Sequence, residues 1–252
     1  MVHFVGAGPG AVDLITLRGE RLLRTCDTVI YAGSLVNPGL LLYCREGCRV
    51  YNSAEMTLEQ VISVIKDAEA GGGSTVRLHT GDPAIFGAVR EQMDALDRLN
   101  IPWDVTPGVS SFSGAAASLG AEYTLPGVSQ TVILSRIAGR TPVPENESLS
   151  SLASHGASLV LFLSSGQLPS VQEELLRGAY LADTPAAIVY KATWPEEKII
   201  RCTVGTLRDA GEKNGIKKTA LVLVGDFLGE TYERSRLYAP DFATEYRKAA
   251  PE

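Results

Sequence analysis

Side chains that bind metals or carry redox chemistry are scarce in this sequence. The three histidines, His3, His79 and His155, lie far apart without metal-ligand spacing, and the four cysteines, Cys26, Cys44, Cys48 and Cys202, form no CxxC pair. Cys44 and Cys48 are spaced like neighbours on one helix face. Free thiols in a reducing compartment are therefore expected, with no metal site. No run approaches the roughly 20 apolar residues of a membrane span, so no membrane partner is expected. Residues 1–10 run straight into a strand and a glycine loop, unlike a charged and apolar leader, which makes the cytoplasm the expected location. Basic charge is also short, 23 Lys and Arg against 29 Asp and Glu for a net −6. A nucleic-acid surface is not expected as the main function, although net charge says little about a local pocket. The chain shows no Ser–His–Asp set and no paired carboxylates, which removes the usual hydrolytic machinery.

What is present supports a folded enzyme-sized core. With 45% hydrophobic and 21% charged residues over 252, the chain can fill one large domain or two ordinary ones. Short apolar runs at 2–5, 28–31, 49–51, 75–78 and 102–105 alternate with helical patterns at 17–23, 37–43, 57–70, 84–99 and 112–119. Thr16 and Thr57 are in place as helix caps, and Gly71-Gly72-Gly73 as a stop. That alternation implies a parallel sheet covered on both faces. The rhythm changes around residues 120–127. Longer strands follow at 131–135, 158–163, 186–190, 198–204 and 220–224, and Trp194-Pro195-Glu196-Glu197 leaves no room for a crossover helix, so a hairpin is expected. The expected fold class is α/β with two α/β domains: residues 1–115 with a mostly parallel sheet and the glycine-rich loops, and residues 116–252 with a mixed sheet. The polar, proline-marked stretch 141–147 reads as a lid.

Three strand-end loops carry the functional signal. Gly6-Ala7-Gly8-Pro9-Gly10 resembles a dinucleotide turn, but position 11 is Ala where a third glycine belongs. Tyr31 is followed by Ala32 rather than the acid that would hold a ribose. The loop is either a tight structural turn or a place where something approaches the backbone. In Thr80-Gly81-Asp82-Pro83-Ala84-Ile85-Phe86-Gly87, Asp82 either accepts hydrogen bonds from loop amides or a ligand, or caps the following helix. His79, just before it, is either a ligand contact or a strand-end histidine. Pro107-Gly108-Val109-Ser110-Ser111 opens a helix with two hydroxyls, and Ser110 serves equally well as a cap. Loops of this kind suit group transfer in which a cofactor carries the reactive group and the protein positions it.

These motifs, together with Leu14-Ile15-Thr16 and Tyr31-Ala32-Gly33-Ser34-Leu35-Val36, resemble the tetrapyrrole (corrin/porphyrin) methylase family over nearly the whole chain. Ser135-Arg136, the stretch 139–144 and the stretch 190–200 resemble its corrin-building branch. The resemblance implies a two-domain homodimer with S-adenosyl-L-methionine in the interdomain cleft, a tetrapyrrole substrate and S-adenosyl-L-homocysteine as product. It places Pro9, Thr80, Gly81, Asp82, Ile85, Ser110, Ser111, Leu163 and Ala192 at the cofactor. The implied substrate carries many carboxylates, which makes Arg136, Arg140 and Lys191 the candidate substrate contacts. Ala32 stands where the uroporphyrinogen branch has an acidic base, so no catalytic base is assigned. Methylation of another ring carbon, or a binding module that does not turn the cofactor over, are the alternatives.

Overall fold

Strand β1 (Val2–Gly6) buries Val2, Phe4 and Val5 completely and is paired on both sides, so it lies inside its sheet. With β2 (Thr28–Tyr31), β3 (Arg49–Asn52), β4 (Thr75–His79) and β5 (Trp103–Thr106) it forms a five-stranded sheet of order β3-β2-β4-β1-β5. Every pairing in it is parallel. The structure is a computed structural model and describes residues 1–249.

Helices α1 (Leu17–Thr25), α2 (Leu58–Ala70), α3 (Arg90–Arg98) and α4 (Ser111–Leu119) connect or follow these strands. Thr16 Oγ1 accepts from Gly19 N at 3.1 Å to open α1, and Thr57 with Gln60 forms a capping box that opens α2. Two apolar clusters result. Val5, Val29, Val76 and Leu78 pack with Leu23 of α1 and with Leu40 on one face. Phe4, Ile30, Val61, Ile65 and Leu96 pack on the other, where α2 and α3 lie. A sheet apolar on both faces is what consecutive buried positions in β1 require. The chain leaves β1 through α1 toward β2 and leaves β4 through α3 toward β5, on opposite sides and opposite faces. The adjacent strands β1 and β4 therefore meet at a topological switch point, with their carboxyl-end loops above it.

Two expected helices differ from the sequence reading. Helix α3 begins at Arg90 rather than at residue 84, because Phe86 and Ala88 take left-handed backbone (φ 53° and 48°) that no right-handed helix allows. Asp82 and Pro83 thus do not start a helix. Pro38–Tyr43 is a 3-10 segment that ends before Cys48, so Cys44 and Cys48 share no α-helical face.

The second sheet contains β6 (Val132–Ser135), β7 (Ser158–Leu161), β8 (Pro185–Tyr190), β9 (Lys198–Thr203) and β10 (Ala220–Val224), in the order β6-β7-β10-β8-β9. It is mixed: β6 runs parallel to β7, while β10 is antiparallel to both β7 and β8. Residues 191–197 join the neighbours β8 and β9. Helices α5 (Leu149–Ala153), α6 (Leu168–Arg177) and α7 (Leu207–Lys213) cover one face through Leu149, Leu168, Val171, Leu175 and Leu207. By internal contacts the chain divides into one unit of Met1–Ser118 with Lys191–Lys198, and another of Leu119–Tyr190 with the described residues from Ile199 onward. No described helix is long and apolar enough to cross a membrane.

Strand β4 also buries two basic side chains. Arg77 donates to Gln92 Oε1 at 2.9 Å and to the Ile30 carbonyl at 3.0 Å. His79 is 4% exposed, and its Nε2 has no hydrogen-bond partner among the described residues. Burial, helped by the Arg77 charge, pushes the His79 pKa down to about 3. The imidazole is thus neutral in the folded protein while the unfolded chain still binds a proton. Its contribution to stability is present above pH ~6.5 and is lost as pH falls toward about 3. Urea unfolding between pH 7 and 4 should therefore show a steeper loss of stability in the wild type than in His79→Gln.

Candidate functional site

Glycine determines how the three loops meet. A Cβ on Gly6 would stand 2.5 Å from Gly108 Cα and 2.6 Å from the Gly81 carbonyl oxygen. A Cβ on Gly108 would stand 2.2 Å from that same oxygen. No side chain fits there, so three strand ends come within backbone contact. Gly8 and Gly81 then form an antiparallel bridge, with N···O distances of 3.2 and 2.9 Å. Gly8 and Gly81 have φ of 81° and 58°, conformations that glycine adopts without the cost borne by other residues.

Asp82 fastens the second loop to the third. One carboxylate oxygen accepts from Ala84 N at 2.8 Å and the other from Gly108 N at 2.8 Å. Of the two sequence readings, acceptance from loop amides is the one observed. Thr80 and Ile85 flank it, half-buried, and Gly81 is buried. Ser110 is 7% exposed, and its carbonyl accepts from Ser113 N and Gly114 N as α4 begins, beside half-buried Ser111.

Residues 191–198 pack on the first loop, an arrangement the sequence did not reveal. Trp194 Nε1 donates to the Pro9 carbonyl at 3.0 Å, and Ala11 N donates to Thr193 Oγ1 at 3.0 Å. Gly10 leaves room for the indole, since a Cβ there would lie 2.0 Å from it. Glu197 closes the segment by accepting from Thr193 N at 2.5 Å and from Ser118 Oγ at 2.6 Å. Pro9 is consequently buried, with its ring over Gly114 and its carbonyl occupied. Ala192 is 6% exposed in the same segment.

Of the seven described non-glycine residues with positive φ, four lie after Asp82 and in residues 191–193, and Leu163, Asn100 and Thr219 lie elsewhere. Phe86, Ala88, Leu163, Lys191 and Thr193 all have positive φ, between 48° and 67°. Each such residue costs on the order of 1–3 kcal/mol, and these conformations persist where surrounding contacts enforce them, commonly at ligand sites. Leu163, in the second unit, leaves 68% of its surface exposed.

The three candidate substrate contacts differ. Arg136 is committed to its own loop, donating to the carbonyls of Thr141 at 3.1 Å and Pro142 at 2.6 Å, which ties down the start of the stretch read as a lid. Lys191 pairs with Glu196 at 3.3 Å and lies 4.9 Å from the Trp194 ring centre. Arg140 is exposed and has no ion-pair partner among the described residues.

An all-parallel sheet with main-chain loops gathered at its switch point, joined in sequence to a mixed sheet, defines a two-sheet α/β protein, a class whose ligands bind at the carboxyl ends of parallel strands. The chain belongs to the Tetrapyrrole (Corrin/Porphyrin) Methylases, whose family profile matches residues 1–208. It is 48% identical over 249 residues to the cobalt-precorrin-4 C(11)-methyltransferase of Methanocaldococcus jannaschii, a match covering 98% of this chain and 96% of the relative. Among solved structures it is similar to a cobalt precorrin-4 methyltransferase of cobalamin biosynthesis, with TM-score 0.89, 46% identity, and 91% of this chain and 96% of that one covered. It is also similar to the uroporphyrin-III C-methyl transferase of Thermus thermophilus complexed with S-adenyl homocysteine, with TM-score 0.74, 28% identity, and coverage of 90% and 93%.

Gly108→Ala should separate the loops or fail to fold fully, because its new methyl has only backbone to displace. A loss of at least about 3 kcal/mol in denaturant unfolding is expected.

Proposed function

We propose that this protein transfers a methyl group from S-adenosyl-L-methionine to C11 of precorrin-4, or of its cobalt-containing form, in cobalamin biosynthesis. The observation that carries the reading is end-to-end similarity, at 48% identity, to a cobalt-precorrin-4 C(11)-methyltransferase. When bound, the cofactor supplies a methyl group on a positively charged sulfur.

The residues present fit such a group. A nucleoside with an amino-acid tail needs polar groups beside small side chains, which Thr80, Ser110 and Ser111 would supply at the carboxyl edge of the sheet, while Gly81, whose N–H and carbonyl both hold Gly8, keeps the loop free of side-chain bulk. Asp82 acts through position, since both its oxygens hold amides of the loops themselves. Pro9 likewise sets the first loop from beneath, through Trp194 and Gly114. Ile85, Ala192 and Leu163 are read as apolar lining. Transfer from a sulfonium to carbon disperses charge rather than creating it, so the protein's share is alignment and exclusion of water. That share requires no strong acid or base, in keeping with Ala32 at the end of β2 and the unassigned base.

A tetrapyrrole bearing carboxylates calls for unpaired cations. Arg140 fits that role best, with Lys191 as a second contact once Glu196 yields; Arg136 shapes the loop that presents Arg140. The same reading makes the protein a homodimer working in the cytoplasm; light scattering on the purified protein checks the dimer, and cell fractionation the location. Turnover of precorrin-4 and cobalt-precorrin-4 with methyl-labelled cofactor should give one incorporated label at C11 by product NMR. A label at another ring carbon, or cofactor binding without turnover of either substrate, would overturn the assignment.

Asp82→Ala should weaken cofactor binding by about tenfold or more in calorimetry, a larger effect than its loss of stability. Normal affinity in that variant would remove the second loop from the cofactor site. Arg140→Ala should raise KM for the tetrapyrrole several-fold while leaving cofactor affinity unchanged.

A further inference from the structure

The fold assembles three thiols that the sequence keeps apart. Cys26 ends the turn of chain before β2, Cys44 follows the 3-10 segment Pro38–Tyr43, and Cys48 immediately precedes β3. Their sulfurs all lie within 4.8 Å of one another, and Cys26 Sγ is 3.8 Å from Cys48 Sγ. Strands β2 and β3 run parallel to β4 and β1. The thiols therefore occupy the amino edge of the sheet, opposite the loops that follow β1, β4 and β5.

The spacing separates two chemistries. A disulfide needs its sulfurs about 2.05 Å apart. Two sulfurs each about 2.3 Å from one tetrahedral zinc ion are about 3.8 Å apart. Cys26 is 1% exposed inside the cluster of Leu23, Val29 and Leu40, and half-buried Cys44 and Cys48 pack against that cluster. One side of the trio is thus dry and held, and the other faces outward. Arg45 crosses the same corner, donating to the Cys26 carbonyl at 3.2 Å and pairing with Asp27. That pair braces the turn that carries Cys26 and adds no net charge to the corner.

We propose that Cys26, Cys44 and Cys48 form a three-thiolate site for a thiophilic d10 cation, Zn2+ or Cu+. Each metal–sulfur bond replaces an S–H bond, and the three protons pass to solvent. A water completes the tetrahedron around zinc, whereas copper(I) is satisfied by the three sulfurs. The ion clamps edge strand β3 and the 3-10 connection to the corner between α1 and β2. It takes no part in the methyl transfer proposed above, so activity and metal binding are separable.

The test uses the full-length protein, reduced and freed of metal. Zinc chloride is titrated in competition with a chromophoric chelator, and Cu+ is titrated in parallel against bicinchoninate. One equivalent should bind and raise the thermal midpoint by about 5 °C. The competition constants tell which ion is held more tightly. Cobalt(II) loading of the wild type should give sulfur-to-metal charge-transfer absorption of three-thiolate intensity. Cys44→Ser, folded by circular dichroism, should lose at least about tenfold in affinity, while Cys202→Ser should bind as the wild type does. No stoichiometric uptake of either ion, no charge-transfer band, or wild-type affinity in Cys44→Ser would overturn the site. A Cys26–Cys48 disulfide in air-exposed protein, with no metal uptake after reduction, would overturn it as well.

Discussion

Three backbones approach at Gly6, Gly81 and Gly108 more closely than any side chain permits, and the candidate site follows from that approach. Parallel strands end side by side, but their loops normally diverge toward different helices. Here the Gly8–Gly81 bridge and the two amides on Asp82 hold the loops together instead. A charge-assisted hydrogen bond from an amide to a carboxylate is stronger than a neutral one and fixes direction, so one aspartate can register two loops. The relative position of the three loops is therefore set largely by main chain, whose position does not depend on rotamers.

Rigidity of that kind suits chemistry in which alignment is the protein's main contribution. Residues with strained backbone, Phe86 and Ala88 in one loop and Lys191 and Thr193 in another, show how much packing is spent on holding shape. The cations around the proposed substrate are divided in the same spirit. Arg136 stabilises its own loop through main-chain carbonyls, while Arg140 is exposed and has no ion-pair partner among the described residues. A net charge of −6 for the whole chain does not oppose this, because local placement rather than total charge governs a pocket.

The two edges of the first sheet are built differently. At its carboxyl edge the loops present amides and hydroxyls. At its amino edge three sulfurs converge where a short 3-10 connection and the edge strand β3 would otherwise rely on weak local hydrogen bonding. A clamp there would steady β2, and β2 pairs with β4, whose end carries Asp82.

Strand and helix order was legible in the sequence because burial on both faces of a parallel sheet writes continuous apolar runs, and caps such as Thr16 and Thr57 mark helix starts. The glycine loops were legible too, since glycine and proline break those runs at strand ends. The late start of α3 was not, because only the folded loop forces Phe86 and Ala88 into left-handed backbone. Nor was the role of Trp194, whose indole reaches the Pro9 carbonyl 185 residues away, or of Glu197, which holds Thr193 and Ser118. The cysteines make the same point: Cys44 and Cys48 hint at a pair, but Cys26 reaches them only through the pairing of β2 with β3. Local composition decides which segments become strands, helices and turns, because those preferences act between near neighbours. Which turns touch, and which side chains share a corner, is decided by strand order and register, which form only when distant segments pack.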